Sequence, residues 1–273
     1  MTKKSTIFFM YGFLNIASLI SIFPLVWMVI AATNRSVDVV AGKLTIGGNL
    51  FRNYLNLTSS QNVWKFFFNS AKYAVLTTVL SLFVCSLAGY AFEIYHDKWK
   101  DRLFTVILMT MMLPFVALMV PLFQMFSKAR LLNSTLGFLL PSLSAPLLIM
   151  MFRQAAKSFP GEIIEAARID GANTWQTIWR VYMPCAKPAY MSFAVISVSY
   201  HWNNYLWPLI VTNSPSNRTL TVGLAIFAKS KEANMQWANV CAATFIIILP
   251  LLIAFFFLQK QFMNSFVSAG IKE

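Results

Sequence analysis

Of 273 residues, 58% are hydrophobic and only 11% charged, whereas a soluble domain needs roughly a quarter charged residues to keep its surface wetted. The net charge of +13 does not signal nucleic-acid binding, because no basic stripe with interleaved exposed aromatics accompanies it; Lys and Arg flank apolar segments, where they meet lipid headgroups. Cys85, Cys185 and Cys241, odd in number and far apart, form neither a disulfide framework nor a metal site and read as buried small hydrophobes.

Six windows hold no Lys, Arg, Asp or Glu: 5–34, 73–92, 103–127, 131–152, 188–217 and 233–259. A helix needs about 20 apolar residues to cross a bilayer core, and in lipid the backbone must satisfy its own hydrogen bonds. The windows therefore predict an all-α membrane protein with six transmembrane helices, near 7–33, 69–92, 103–126, 135–152, 188–209 and 237–260. The short alternating segments of a β-barrel are absent.

The first window follows Lys3 and Lys4 but runs too long for a signal-peptide core and lacks a small-residue cleavage site, so it reads as a retained helix. Next come a polar outer loop over 34–68 with turn residues Gly42, Gly47 and Gly48, and a charged inner turn over 93–102. Residues 127–134 make a tight outer turn, 153–187 the largest inner loop, and 210–236 an outer loop of mixed polarity. No internal repeat or low-complexity tract divides residues 1–273, which read as a single membrane domain. With both termini cytoplasmic, twelve basic residues lie inside, among them Arg153, Lys260 and Lys272, against ten outside.

No phosphate-cradling Gly-x-x-x-x-Gly-Lys-Ser/Thr loop is present, so the chain holds no ATP site of that kind and no catalytic residue is expected. His96 and His201 are too distant to suggest a metal pair, and no metal site is expected. The absence of Asp or Glu at mid-membrane depth argues against an ion-coupled carrier, which commonly keeps such a carboxylate for function.

In the largest inner loop, Pro160 suits a first helical position and Glu162 the first turn beside the helix dipole. Glu162, Glu165 and Arg168 make a charged face, and Ile163, Ala166, Ala167 and Ile169 a smoother one. Gly171 can end this helix in a left-handed conformation, and Asn173 with Thr174 can cap a second short helix through Arg180, closed by Pro184 and Pro188. By local physics the element is either a docking helix or an ordinary interfacial helix.

The run Glu165-Ala166-Ala167, Asp170-Gly171-Ala172 and Val181-Tyr182-Met183-Pro184 resembles the EAA loop of ABC importer permeases, with Gly171 six and Pro184 nineteen residues after Glu165. Val181 and Met183 replace the more usual Ile and Leu. The resemblance extends over nearly the whole chain, most loosely in its N-terminal third, and is closest to the maltose-type permeases for carbohydrates. It includes Asn69-Ser70, Ala88-Gly89-Tyr90-Ala91, Leu113-Pro114, Pro121-Leu122, Leu131-Leu132-Asn133, Trp202-Asn203, Trp207-Pro208-Leu209, Gln259-Lys260 and Ala269-Gly270.

This resemblance implies a type I importer fold in the bacterial inner membrane, with residues 160–184 as the coupling segment. Glu165, Ala166, Ala167, Arg168, Asp170, Gly171 and Ala172 would dock on a separate ATPase dimer that binds ATP and Mg; this chain needs no cofactor. The implied partners are that ATPase, a second homologous permease, an extracytoplasmic binding protein and membrane lipid, with no nucleic acid. The implied mechanism is alternating access through two-state rocking.

The fifth window has a concentrated polar run, Ser197, Ser199, Tyr200, His201, Trp202, Asn203, Asn204 and Tyr205. Trp202, Asn203, Asn204 and Tyr205 are the candidate substrate contacts, since amides bond sugar hydroxyls and aromatic faces stack on sugar rings. Equally, the amides could bond between helices or to the partner permease. Lys72 should snorkel outward. Pro114, Pro121 and Pro250 each remove a backbone hydrogen bond and permit bending. The reading is thus an importer permease for a sugar or oligosaccharide, with a polyol phosphate such as glycerol 3-phosphate as the alternative cargo; ion-coupled carriers and membrane scaffolds are the other classes weighed.

Overall fold

The computed structural model describes residues 3–60, 62–95, 97–229 and 236–270. His96, Lys272 and part of the expected loop 210–236 lie outside the described residues. Among those described there is no strand. Helix α1 spans Lys3–Thr33, α2 Ser36–Val40, α3 Leu50–Ser60, α4 Val63–Ile94 and α5 Lys98–Thr110. They are followed by α6 Phe115–Lys128, α7 Thr135–Leu139, α8 Pro146–Lys157, α9 Gly161–Ile169 and α10 Thr174–Thr177. The remainder are α11 Met183–Cys185, α12 Lys187–Asn203, α13 Leu206–Val211, α14 Leu220–Lys229 and α15 Trp237–Gly270.

The described residues divide into two packed units, one drawn from within 1–65 and 220–250 and one from within 66–219 and 251–273. In the first, α1 exposes apolar side chains around most of its length, as a helix facing lipid or another apolar surface does. Its last turns pack Met28, Ala31 and Ala32 against Val39 and against Ala238, Cys241 and Ala242 of α15. The alanines let these helix backbones approach closely. Beyond Thr33 the chain turns sharply: Asn34 Nδ2 donates to the carbonyls of Ile30 at 2.9 Å and Thr45 at 2.7 Å.

In the second unit, α4 serves three cores in succession. Tyr73 stacks on Phe138 with centroids 4.0 Å apart, beside Phe126 and Trp207, whose indole N–H donates to the Gly137 carbonyl at 3.2 Å. Cys85 and Phe92 pack with Leu148, Ile149 and Phe152 of α8. Tyr90 packs with Ala156, Ile164, Ile178 and Tyr182. Between the last two cores α4 and α8 nearly touch: a Cβ on Gly89 would stand 2.6 Å from Phe152 Cβ and 2.7 Å from the Arg153 nitrogen. Just beyond, Arg153 bonds Glu93 through Nε at 3.0 Å and Asp101 through Nη2 at 2.8 Å, with its guanidinium 4.3 Å from the Phe104 ring centroid. Asp97 caps α5 by accepting from the Trp99 and Lys100 amides, and the Lys100 backbone bond holds its carboxyl below the usual carboxylate range.

Several expectations change in three dimensions. Helix α1 and the α4 helix are each long and apolar enough to cross a membrane, whereas the expected third and fourth spans are broken pairs. Helices α5 and α6 meet at 100° and the α7 and α8 segments at 50°. The first break falls where Pro114 has no N–H to donate and disfavours helical backbone at Leu113. Pro121 and Pro250, by contrast, lie inside α6 and α15 without ending them. The expected fifth span also divides, into α12 and α13.

The loop 34–68 contains α2 and α3, and α4 begins six residues before the expected 69. The loop 210–236 contains α14, which buries Leu220, Val222, Leu224 and Phe227. The 127–134 turn forms, with left-handed Arg130 and Asn133, and Asn133 Oδ1 accepts from Asn213 N at 2.7 Å. Cys85 and Cys241 are buried, but Cys185 is exposed because it lies on a short helix at the unit surface. Lys72 keeps its ammonium exposed, 4.3 Å from the Tyr73 ring centroid.

Replacing Gly89 by valine forces α4 off α8 and should cost about 1–3 kcal/mol, the usual range for overpacking, or more against rigid backbone. A lower melting temperature in detergent for Gly89→Val, with Gly89→Ala intermediate, is the expected result; an unchanged melt would contradict the close approach.

Candidate coupling segment and substrate path

The inner loop folds into a clasped helical turn. Pro160 stands one position earlier than expected, as the N-cap of α9, with φ −62° and ψ 119°. At the other end Gly171 adopts φ +82°, and two bonds close the helix: Gly171 N to Arg168 O at 3.0 Å and Ala172 N to Ala167 O at 2.9 Å. This is a Schellman closure, and it needs a residue without a Cβ at the left-handed position. Asn173 then starts α10 with a reciprocal box: Gln176 N donates to Asn173 Oδ1 and Asn173 N to Gln176 Oε1, both at 2.9 Å.

The second helix does not stop at Arg180. It widens into a π segment over Ile178–Tyr182 and runs on into α11. Pro184 explains the widening, because its ring clashes with the carbonyl four residues back and it cannot donate the α-helical bond.

One side chain of α9 roots the loop in the unit. Ile164 is 3% exposed, packed with Tyr90, Ala156, Ile178 and Tyr182. Burial pushes the Tyr182 phenol above its usual range, so it stays neutral across physiological pH. The end of α4 adds two lighter ties: Tyr95 Oη lies 3.3 Å from Thr174 Oγ1, and the Arg168 guanidinium 5.7 Å from the Tyr95 ring centroid.

The rest of α9 faces outward. Glu165, Ala166, Arg168, Asp170 and Gly171 are exposed, and Ala167 and Ala172 half-buried. Large apolar groups stand among them, Ile169 at 86% and Trp175 at 60% exposure. The residues expected to dock are therefore on one connected element, five of them exposed and two half-covered. Trp175 and the anchor Ile164 were not singled out from the sequence, and Ile169 was placed only on the smoother face; their apolar character was visible, but not which of them would be covered.

The candidate substrate residues sit where the fifth span breaks. Asn203 ends α12, is exposed, and donates its amide to Ser199 O at 2.9 Å. Asn204, with ψ 127°, and Tyr205 form the break and are half-buried. Trp202 does not share this surface: it is 5% exposed and meets the Phe67 ring edge-on with centroids 5.5 Å apart. Consecutive helical residues point about 100° apart, so a run of four cannot line one path. Tyr200, three residues before Asn203, is exposed and shares its side of the helix. His201 is buried. Among the described residues no cluster of His, Cys, Asp and Glu could hold a metal ion.

Truncating the anchor tests this picture. Ile164→Ala should loosen the loop by about 2–5 kcal/mol, the range for emptying a buried aliphatic site, read as faster amide exchange over residues 161–170. The exposed Ile169→Ala should leave exchange unchanged; equal effects would mean that Ile164 is not the root.

Residues 86–266 match the family model described as binding-protein-dependent transport system inner membrane component. The chain is 40% identical over 259 residues to the lactose transport system permease protein LacG of Rhizobium radiobacter, covering 95% of this chain and 94% of that one. It is 32% identical over 276 residues to the arabinooligosaccharides transport system permease protein AraQ of Bacillus subtilis (strain 168), covering 98% and 94%. In fold it matches, with a TM-score of 0.81, 25% identity and coverage of 95% and 98%, a chain of a bacterial ABC transporter involved in the import of the acidic polysaccharide alginate. The match over residues 86–266 and these full-length similarities place the chain in the family of binding-protein-dependent transport inner-membrane components, helical permeases rather than enzymes.

Proposed function

We propose that the chain is one of two permease subunits of an ATP-driven carbohydrate importer and works as a single domain of six crossings with both termini cytoplasmic. The crossings are those predicted near 7–33, 69–92, 103–126, 135–152, 188–209 and 237–260, with the third, fourth and fifth each assembled from two helices. The cargo reading draws on the lactose and arabino-oligosaccharide relatives. A phosphate-bearing cargo is less well supported, since no candidate span carries an arginine suited to hold it.

The observation that carries the mechanism is the clasped α9 turn, rooted by Ile164 and largely exposed elsewhere, with apolar side chains set among charges. Glu165, Ala166, Ala167, Arg168, Asp170, Gly171 and Ala172 dock on a separate ATPase subunit that holds ATP and Mg. The two alanines allow close approach and the charges set the register. Closure of the ATPase dimer moves α9, and Ile164 and Tyr182 pass that motion to Tyr90 on α4. Asn203, with Asn204 and Tyr205 at the break, meets the sugar, because unwound backbone and amides at membrane depth are stable where they line a wet path.

The test is uptake and ATP hydrolysis by the complete transporter in vesicles. Gly171→Pro forces φ from +82° toward −65° and removes the N–H that bonds Arg168 O; Glu165→Arg reverses an exposed docking charge. Each should lower uptake about tenfold or more at normal membrane insertion, with ATP hydrolysis no longer tied to transport. Normal uptake by both would refute the docking role. Asn203→Leu should reduce flux severalfold without loosening the complex, and unchanged flux would make that amide structural.

A further inference from the structure

We propose that a polar cleft in the first unit is the seat for a carboxylate side chain of the extracytoplasmic binding protein. The cleft has a volume of ≈ 410 Å³ and a wholly polar lining that includes Arg35, Asn49, Arg52, Asn53, Asn56 and Asn239. It joins the end of α1, the start of α3 and the start of α15. The inference rests on the orientation proposed above, which puts these ends outside the membrane, and on a family whose transport depends on a binding protein.

Charge selects the ligand. No lining residue is apolar or acidic. Arg35 and Arg52 are exposed, and among the described residues neither has a carboxylate within 4.0 Å. Asp38, the one acid in residues 34–65, does not line the cleft, while Arg35, Lys43, Arg52 and Lys65 belong to the same stretch. Two guanidiniums repel a metal cation and match the planar, two-oxygen geometry of a carboxylate. Lining amides other than Asn53, whose two N–H groups are both spent on the walls, can donate to the carboxylate's remaining lone pairs.

The walls are already set. Asn53 Nδ2 donates at 2.8 Å to the carbonyls of both Ala32 and Asn34. Asn49 N donates to Thr33 O at 2.8 Å, Ala238 N to Ser36 Oγ at 3.3 Å, and Asn239 Nδ2 to Gln236 Oε1 at 2.5 Å. With the amide walls already held, the ordering cost of filling the cleft falls mainly on the two exposed arginine side chains. Its positive field also speeds the approach of an acidic partner at low salt.

The experiment uses the complete transporter in nanodiscs of neutral lipid, titrated with its own substrate-loaded binding protein while ATP hydrolysis is followed. The Arg35→Gln/Arg52→Gln double variant should need about tenfold more binding protein for half-maximal stimulation, keep its maximal rate, and lose most of the salt dependence of that concentration. Arg52→Lys, which keeps the charge without the fork, should fall between. An unchanged half-maximal concentration overturns the proposal, as does a loss of maximal rate alone, which would mark the arginines as structural. An effect seen only in discs with anionic lipid would assign the cleft to a headgroup and overturn it too. If the unsubstituted transporter shows no stimulation, the transport reading itself fails and this docking with it; the arginine variants alone cannot produce that result.

Discussion

The approach of α4 to α8 at Gly89 is the contact on which the second unit depends. With no side chain at that position, Phe152 Cβ and the Arg153 backbone come within what would be 2.6 and 2.7 Å of a Cβ. That proximity lets Cys85 and Phe92 close over Leu148, Ile149 and Phe152, and it brings Tyr90 to Ala156 one turn further on. Both cores would open if the helices stood a methyl group farther apart, because packed interiors have no slack to absorb the difference.

The same contact gives the proposed coupling segment something firm to act upon. Beyond Gly89 the two helices are joined by Arg153, whose single guanidinium serves Glu93 and Asp101 together and lies over Phe104. Only 19% of that side chain is exposed, so the pairs are less screened than ordinary surface bridges. The α9 turn is attached beside this junction through Ile164, Tyr182 and Tyr95, all bearing on the final turns of α4. A displacement of α9 therefore meets a stiff helix end rather than a loose loop. An element that is exposed on one side and rooted on the other suits the transfer of motion from a partner to the membrane helices.

The loop shows how much of the site was legible in the residues. Gly171 and Asn173 act through bonds to their immediate neighbours, so their spacing alone announced the left-handed closure and the helix start that follows, whereas Gln176, which completes the cap, was not read. The π segment over Ile178–Tyr182 was not legible, since it reflects how the chain accommodates Pro184 while Tyr182 is held in the core. In the fifth span the polar run was plain, but its division was not: Asn203 faces out and Trp202 faces in because α12 has a covered side, and nothing in the run names that side.

Apolar content and charge spacing by themselves determined that the chain is helical and membrane-seeking, since long uncharged stretches leave the backbone no partner but itself in lipid. They also determined the local signals: the turn at Gly171 and the cap at Asn173. Only the tertiary structure decided that α5 and α6 meet at 100°, that α14 forms and buries four apolar side chains within a loop read as of mixed polarity, and that Arg35 and Arg52 share a cleft with residues about two hundred positions away. Local bonds depend on neighbours a few residues apart and can be read from order alone. Burial, charge pairing and the sharing of a cleft depend on which distant surfaces meet, and that is settled by packing.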